Sequence, residues 1–266
     1  MESAVESGLE KRGLVKDFKN ISLDEKAYTK GHHYATILID SDTNTVLDMV
    51  EGRKEEDVKK LFVNVSGERK QPQLNRVNMD MWKPFMNTIR SIAPQAIIVH
   101  DKFHLFKMLS EAIDKTRKKE VKDNPQLKGQ KYTVLKNANN RTETQKAIFD
   151  QLIKDNLKTS QAWLIRENFK GVFANKQNVE SNYKRWKENA LTFSINAVNK
   201  VIATFDRHLI GIINAIITST SSAKHENKNG AIQSVVAKAR GFRSFERFRI
   251  NVLFYFGNLN LAPQNI

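Results

Sequence analysis

Through the first hundred residues apolar and polar positions alternate or gather into short apolar runs. "HHYATILID" (32–40) and "TVLDMV" (45–50) are rich in aliphatic and β-branched residues, and the "SDTN" between them suits a tight turn, so the pair predicts a β-hairpin. "NISLD" (20–24) predicts a short first strand, and "LNRVNM" (74–79) and "AIIV" (96–99) predict two more. Elsewhere the apolar spacing lengthens to three and four. "EEDVKKLF" (55–62) predicts one helix, and Phe85, Ile89 and Ile92 behind Pro84 predict another, since proline is tolerated in a first helical turn. The order strand, hairpin, helix, strand, helix, strand is that of a mixed α/β layer.

Beyond Asp101 the strand pattern disappears, and charged stretches with apolar residues every three or four positions continue to about residue 218. Thr142 and Gln145 have capping-box spacing, residues 121–143 are the most loop-like part, and 190–217 reads as nearly continuous helix without proline. "TSTSS" (218–222) breaks it; a helix then runs from about Lys224 to Ala239, Gly241 punctuates, and "FRSFERFRINVLFYFG" closes the chain as an aromatic amphipathic helix. There is no internal repeat.

Composition narrows the function. With 266 residues and 40% apolar content the chain can bury a real core. Its 44 Lys and Arg against 29 Asp and Glu leave a formal +15, which favours a polyanionic partner, nucleic acid first. No run of 18 apolar residues is present, so no membrane partner is expected and the chain reads as soluble. The opening "MESAVESGLEKRG" has no secretory apolar core, and the absence of cysteine excludes disulfides and thiolate metal sites; a cytoplasmic, nucleoid-associated location follows as an expectation.

Three acids occupy unusual places: Asp24 in the first strand, Asp80 directly after a later one, and Glu226 early in the helix after the Ser/Thr break. Carboxylates at strand ends of an open α/β sheet share a crevice, and a helix packed on that sheet can add another. Such a cluster repels itself unless a hard divalent cation neutralises it. Spacing alone leaves the ordinary readings open: Asp24 as a turn residue, Asp80 as a cap ahead of the helix near Pro84, and Glu226 as a first-turn acid complementing the helix dipole. Asp40, at the end of the second run, competes with Asp24. Trp82 is expected to pack in the core beneath the helix near Pro84. His32 and His33 are adjacent on a strand, point to opposite faces and make no convincing metal pair.

The words around these acids carry a resemblance. In order they are Asp24-Glu25, Lys30-Gly31-His32 with Tyr34, Gly52-Arg53, Met79-Asp80-Met81-Trp82, Asp101-Lys102-Phe103-His104 and Ala239-Arg240-Gly241-Phe242-Arg243. Over residues 20–261 the chain resembles the catalytic part of bacterial insertion-sequence transposases of the ISL-three family. The resemblance implies an α/β, RNase H-like mixed sheet flanked by helices and interrupted by a large all-helical insertion. The implied division is an N-terminal remnant or linker (1–19), the first part of the core (20–101), the insertion (102–219) and C-terminal core helices bearing the acidic Glu (220–266).

It also implies an Asp, Asp, Glu triad of Asp24, Asp80 and Glu226 holding Mg²⁺ or Mn²⁺, as two ions, for cleavage and strand transfer of double-stranded DNA by a homo-oligomer. It prefers Asp24 to Asp40. "DKFH" looks like an Asp-x-x-His signature, which gives Asp101 and His104 a supporting or DNA-positioning role. Lys102, Lys107, Arg117, Arg240 and Arg243 are candidate DNA contacts; Arg247 and Arg249 lie in the same basic stretch, whose Phe242, Phe245 and Phe248 must first be buried. The family's usual N-terminal zinc-binding and helix-turn-helix modules are not in this sequence, and Asn227 stands where glycine is usual. The alternatives are therefore a catalytically inactive remnant that binds DNA as a regulator, and a generic RNase H-like nuclease.

Overall fold

The computed structural model describes residues 1–31, 33–67, 72–218 and 222–262, with side chains described except at 222–229. His32 and most of the predicted Ser/Thr break thus lie outside the described residues. The five strands are β1 (Asn20–Ala27), β2 (Tyr34–Asp40), β3 (Thr45–Glu51), β4 (Arg76–Met79) and β5 (Ile97–His100), in the order β3-β2-β1-β4-β5. β1–β2 and β2–β3 are antiparallel, whereas β1–β4 and β4–β5 are parallel. Asp40 closes the β2–β3 turn by accepting from the Asp42 amide at 2.9 Å and the Thr43 hydroxyl at 2.8 Å, and Asn44 takes the left-handed conformation at φ 57°.

Period-two burial in β1 and β4 sends Ile21, Leu23, Val77 and Met79 to one face. There they pack on α2 (Glu55–Ser66) and α3 (Lys83–Ile92) through Val58, Leu61, Phe62, Phe85 and Ile89. Ile37, Ile39 and Met49 face the other way, onto α11 (Ser222–Lys238) and α12 (Phe245–Phe256) through Ile232, Val236, Phe248 and Leu253. Phe242 is also buried in this layer, and Tyr28 stacks on Phe248 with centroids 5.8 Å apart. The segment expected to be a remnant or linker contains α1 (Glu2–Arg12), whose Val5 is buried in the same layer.

Residues 1–101 and 219–266 make one compact unit and 102–218 a second. The second is helical: α4 (Lys102–Glu120), α5 (Lys131–Leu135), α6 (Glu143–Lys154), α7 (Lys158–Ala174), α8 (Val179–Thr192), α9 (Asn196–Arg207) and α10 (Leu209–Thr218). The Thr142–Gln145 box forms reciprocally, at 3.2 and 3.3 Å. Phe169 stacks on Phe205 and packs tilted against Trp186 in the core. The predicted continuous helix over 190–217 is corrected: Ser194 at φ 51° separates α8 from α9, and α9 and α10 meet at a 77° bend. Apolar periodicity survives such breaks because each short helix still buries its own stripe. Among the described residues no single helix is long and apolar enough to cross a membrane.

Candidate active site

Register brings the strand-end acids together. In β1–β4, Ser22 pairs with Asn78, so continuing two residues sets Asp24 beside Asp80 just past the end of β4. In β4–β5, Met79 pairs with His100 and the Asp101 amide donates to the Met79 carbonyl at 3.0 Å, so Asp101 stands beside Asp80 in turn. Three carboxylate-bearing positions therefore share one level on adjacent parallel strands, about 4.8 Å per step. Asp24 pairs with Ile37 across β1–β2, and direct cross-strand partners share a face, so it looks towards the α11–α12 layer. Glu226 lies on α11, whose Ile232 and Val236 pack on that same face; its side chain is outside the described residues. Asp40 lies at the opposite end of the sheet, because β2 runs antiparallel to β1, and its oxygens are committed to the hairpin turn.

Asp24 is 9% exposed. Its Oδ1 accepts from the Glu25 amide at 2.8 Å, while the buried Oδ2 has no hydrogen bond of acceptable geometry and faces the Lys26 ammonium at 3.0 Å. The Lys26 ammonium thus supplies the neutralising charge at a pair that is largely shielded from solvent. Asp80 Oδ1 accepts from the Trp82 amide at 2.9 Å in a tight Asx turn. A hard divalent cation suits two such carboxylates, leaving coordination positions for water or phosphate oxygen. Among the described residues no group of three or more His, Cys, Asp or Glu side chains is close enough to hold a metal ion.

A second assembly, on the opposite face, ties the Asp80 loop down. Arg53 Nη1 reaches both Glu25 oxygens, at 2.9 and 3.1 Å, and its guanidinium lies over the Tyr34 ring at 4.2 Å and the Trp82 ring at 4.7 Å. Trp82 Nε1 donates to the Arg53 carbonyl at 3.1 Å. The hydrogen bonds to Glu25 raise the Arg53 pKa against the cost of burial, and the charges of Glu25, Tyr34 and Asp80 raise it further. Trp82, expected in the core, is 37% exposed: a cation–π partner and a backbone acceptor hold it at the surface. Glu25, Tyr34 and Gly52-Arg53 stand among the sequence landmarks with no role that the sequence assigns; an arginine following a glycine at a strand end is the signal for this corner.

Gly52 makes this corner possible. It sits at φ +96°, and a Cβ there would come within 2.2 Å of Asp57 Oδ2, which accepts from the Lys54 amide at 2.8 Å at the start of α2. Gly52→Ala is expected to cost about 2 kcal/mol or more, from left-handed strain plus a displaced helix cap. Urea denaturation checks this; a loss below about 0.5 kcal/mol would show that Asp57 moves aside freely.

The basic candidates separate by environment. Lys102, Lys107, Arg240, Arg243 and Arg247 are exposed, and His104 is half-buried, edge-on to Phe103. Arg117 is corrected: it is 9% exposed, paired with Asp114 at 2.8 Å and bonded to the Leu127 carbonyl at 3.3 Å, so it braces the helical unit instead of facing solvent. Burial pushes the Asp114 carboxyl up, but its bonds to Lys118 and Arg117 outweigh this and leave it below the usual range. Arg249 is likewise withdrawn from the surface set, since it clamps Asp48 at 2.7 and 3.1 Å.

A mixed five-stranded sheet with Asp80 and Asp101 just past the ends of β4 and β5, and Asp24 level with them on β1, defines a mixed α/β protein with carboxylates gathered along one edge of its parallel strands. The transposase family of the ISL-three DDE type matches residues 21–252, and the chain belongs to that family. It is 26% identical over 242 residues to the transposase for insertion sequence element IS1001 of Bordetella parapertussis, covering 87% of this chain and 59% of that protein. It is 24% identical over 257 residues to the transposase for insertion sequence element IS1557 of Mycobacterium tuberculosis, covering 86% of this chain and 58% of that one. The chain thus spans a little under three fifths of the length of these relatives. No solved structure matches it.

Proposed function

We propose that the sheet-bearing unit is the RNase H-like catalytic domain of an insertion-sequence transposase. Its reaction is metal-dependent phosphoryl transfer: a DNA strand is cut at the end of the element and the freed 3′-hydroxyl is joined to target DNA. Membership in the transposase family supports the substrate class, and the excess of Lys and Arg supports a polyanionic partner. The observation that carries the reading is the level pairing of Asp24 with Asp80, with a buried Asp24 Oδ2 balanced by the Lys26 ammonium.

Asp24, Asp80 and Glu226 are the proposed ligands of two Mg²⁺ or Mn²⁺ ions. Such ions, when bound, activate the attacking oxygen and stabilise the leaving one. The chain's own contributions are positional. The Arg53 assembly holds the loop carrying Asp80, and the Glu25 amide fixes one oxygen of Asp24 so that the other stays directed into the site. Asp101 and His104 position DNA, and Lys102, Lys107, Arg240 and Arg243 contact its phosphates. Assembly as a homo-oligomer on DNA belongs to the same proposal.

The test is nicking of duplex DNA bearing the element's ends, with Mn²⁺ and with chelator. Metal-dependent cutting at the ends, followed by joining, supports the proposal. Cutting of any duplex or hybrid without joining identifies a generic nuclease, and binding without cutting identifies a regulator; either result overturns the reading.

A further inference from the structure

The helical unit carries most of the protein's net positive charge. Between residues 102 and 218, 22 Lys and Arg face 11 Asp and Glu, a surplus of eleven out of the chain's fifteen. On this unit α7 and α8 enclose an open groove of about 310 Å³. Asn168 and Gly171 lie one turn apart on α7, with Asn175 just past its end, and Asn182, Arg185 and Asn189 lie at i, i+3 and i+7 on α8 as one stripe along that helix. Seven residues of helix advance about 10.5 Å, the axial rise of roughly three nucleotides of a strand.

The chemistry of the lining selects the occupant. No carboxylate lines the groove. Arg185 is exposed and, among the described residues, makes no ion pair or hydrogen bond, so its guanidinium is available to an anion. The carboxamides of Asn168 and Asn189 are uncommitted in the same sense and can donate to phosphate or accept from a base edge. The floor is rigid: Trp186 is buried, and its Nε1 donates to the Ile165 carbonyl at 2.9 Å. Gly171 keeps the α7 wall open, because a Cβ there would meet nothing within 4 Å.

We propose that the α7–α8 groove binds the phosphodiester backbone of one DNA strand, with Arg185 pairing to a phosphate and the amides of Asn168 and Asn189, one on each wall, fixing its path. This inference rests on DNA being the substrate, as proposed above, and adds where the helical unit holds it.

The test is fluorescence anisotropy of the full chain with labelled duplex DNA over a salt series. Arg185→Gln should weaken binding and reduce the slope of log affinity against log salt by about 0.9, the signature of one lost phosphate contact. Gly171→Leu, which fills the groove without changing charge and replaces glycine by a better helix former, should weaken binding about tenfold with Tm unchanged or raised. Gly171→Ala should bind as wild type. The groove assignment fails if Gly171→Leu binds normally at an unchanged salt slope, whatever Arg185→Gln does, since the arginine would then be an ordinary surface cation. Wild type that nicks element ends while both variants bind and cut normally refutes the groove alone. Wild type that neither binds nor cuts refutes the functional reading itself, and the groove with it.

Discussion

Asp24→Asn and Asp80→Asn are each expected to lower Mn²⁺-dependent nicking by about a thousandfold or more, with the fold intact. A thousandfold corresponds to about 4 kcal/mol of transition-state stabilisation, within the range that losing a metal-held charge removes. Asparagine keeps the shape of the side chain and the acceptor that takes the Glu25 or Trp82 amide, while it removes the charge that attracts a cation. Loss of Asp24 leaves Lys26 without its ion-pair partner but lowers the carboxylate density beside Asp80, so thermal stability without metal should hold steady or fall modestly. Binding readouts should change in parallel. On the proposed reading, Mn²⁺ at a hundred times its dissociation constant is expected to stabilise the folded wild type by about 2.7 kcal/mol, and this increment should vanish in either variant. Asp40→Asn is the control, because Asp40 serves the hairpin turn at the far end of the sheet; it should lose some stability and retain nicking. Nicking that survives Asp80→Asn, or a thermal shift that persists in Asp24→Asn, would remove the strand-edge site from the mechanism.

The second large effect concerns stability. Asp48 on β3 is 4% exposed and is clamped by Arg249 of α12 through two oxygens, while its Oδ1 also accepts from the Met49 amide. Arg249→Met should cost about 3 to 5 kcal/mol, because it strands a buried carboxylate. The lower end is favoured, since Arg12 of α1 lies near enough for the Asp48 charge to raise its pKa against a larger lowering by burial. Asp48→Asn combined with Arg249→Met should recover much of the loss, as the stranded charge is then gone. Thermal unfolding monitored by circular dichroism measures both. A single variant costing less than about 0.5 kcal/mol would mean that the pair is solvated and that α12 docks through its aromatic face alone.

Local signals in the sequence determined the strands, the hairpin with its "SDTN" turn, the capping box at Thr142 and the aromatic layer on α12, because periodicity and turn chemistry act over a few residues. The ordered landmarks also carried the family, which the match over residues 21–252 shows. Tertiary structure alone decided which acids share a level: parallel pairing puts Asp80 beside Asp24, and the reversal into β2 carries Asp40 to the other end. It also decided the fate of single charged and aromatic side chains. Arg117 and Arg249 read as surface cations until Asp114 and Asp48 are found against them, and Trp82 reads as core until Arg53 covers its ring. For Arg249 the physical reason is that the cost of burying a charge depends on a partner 201 residues away, which no local pattern encodes; for Arg117 the partner three residues back is local, and only the packing of the helical unit that buries the pair is not.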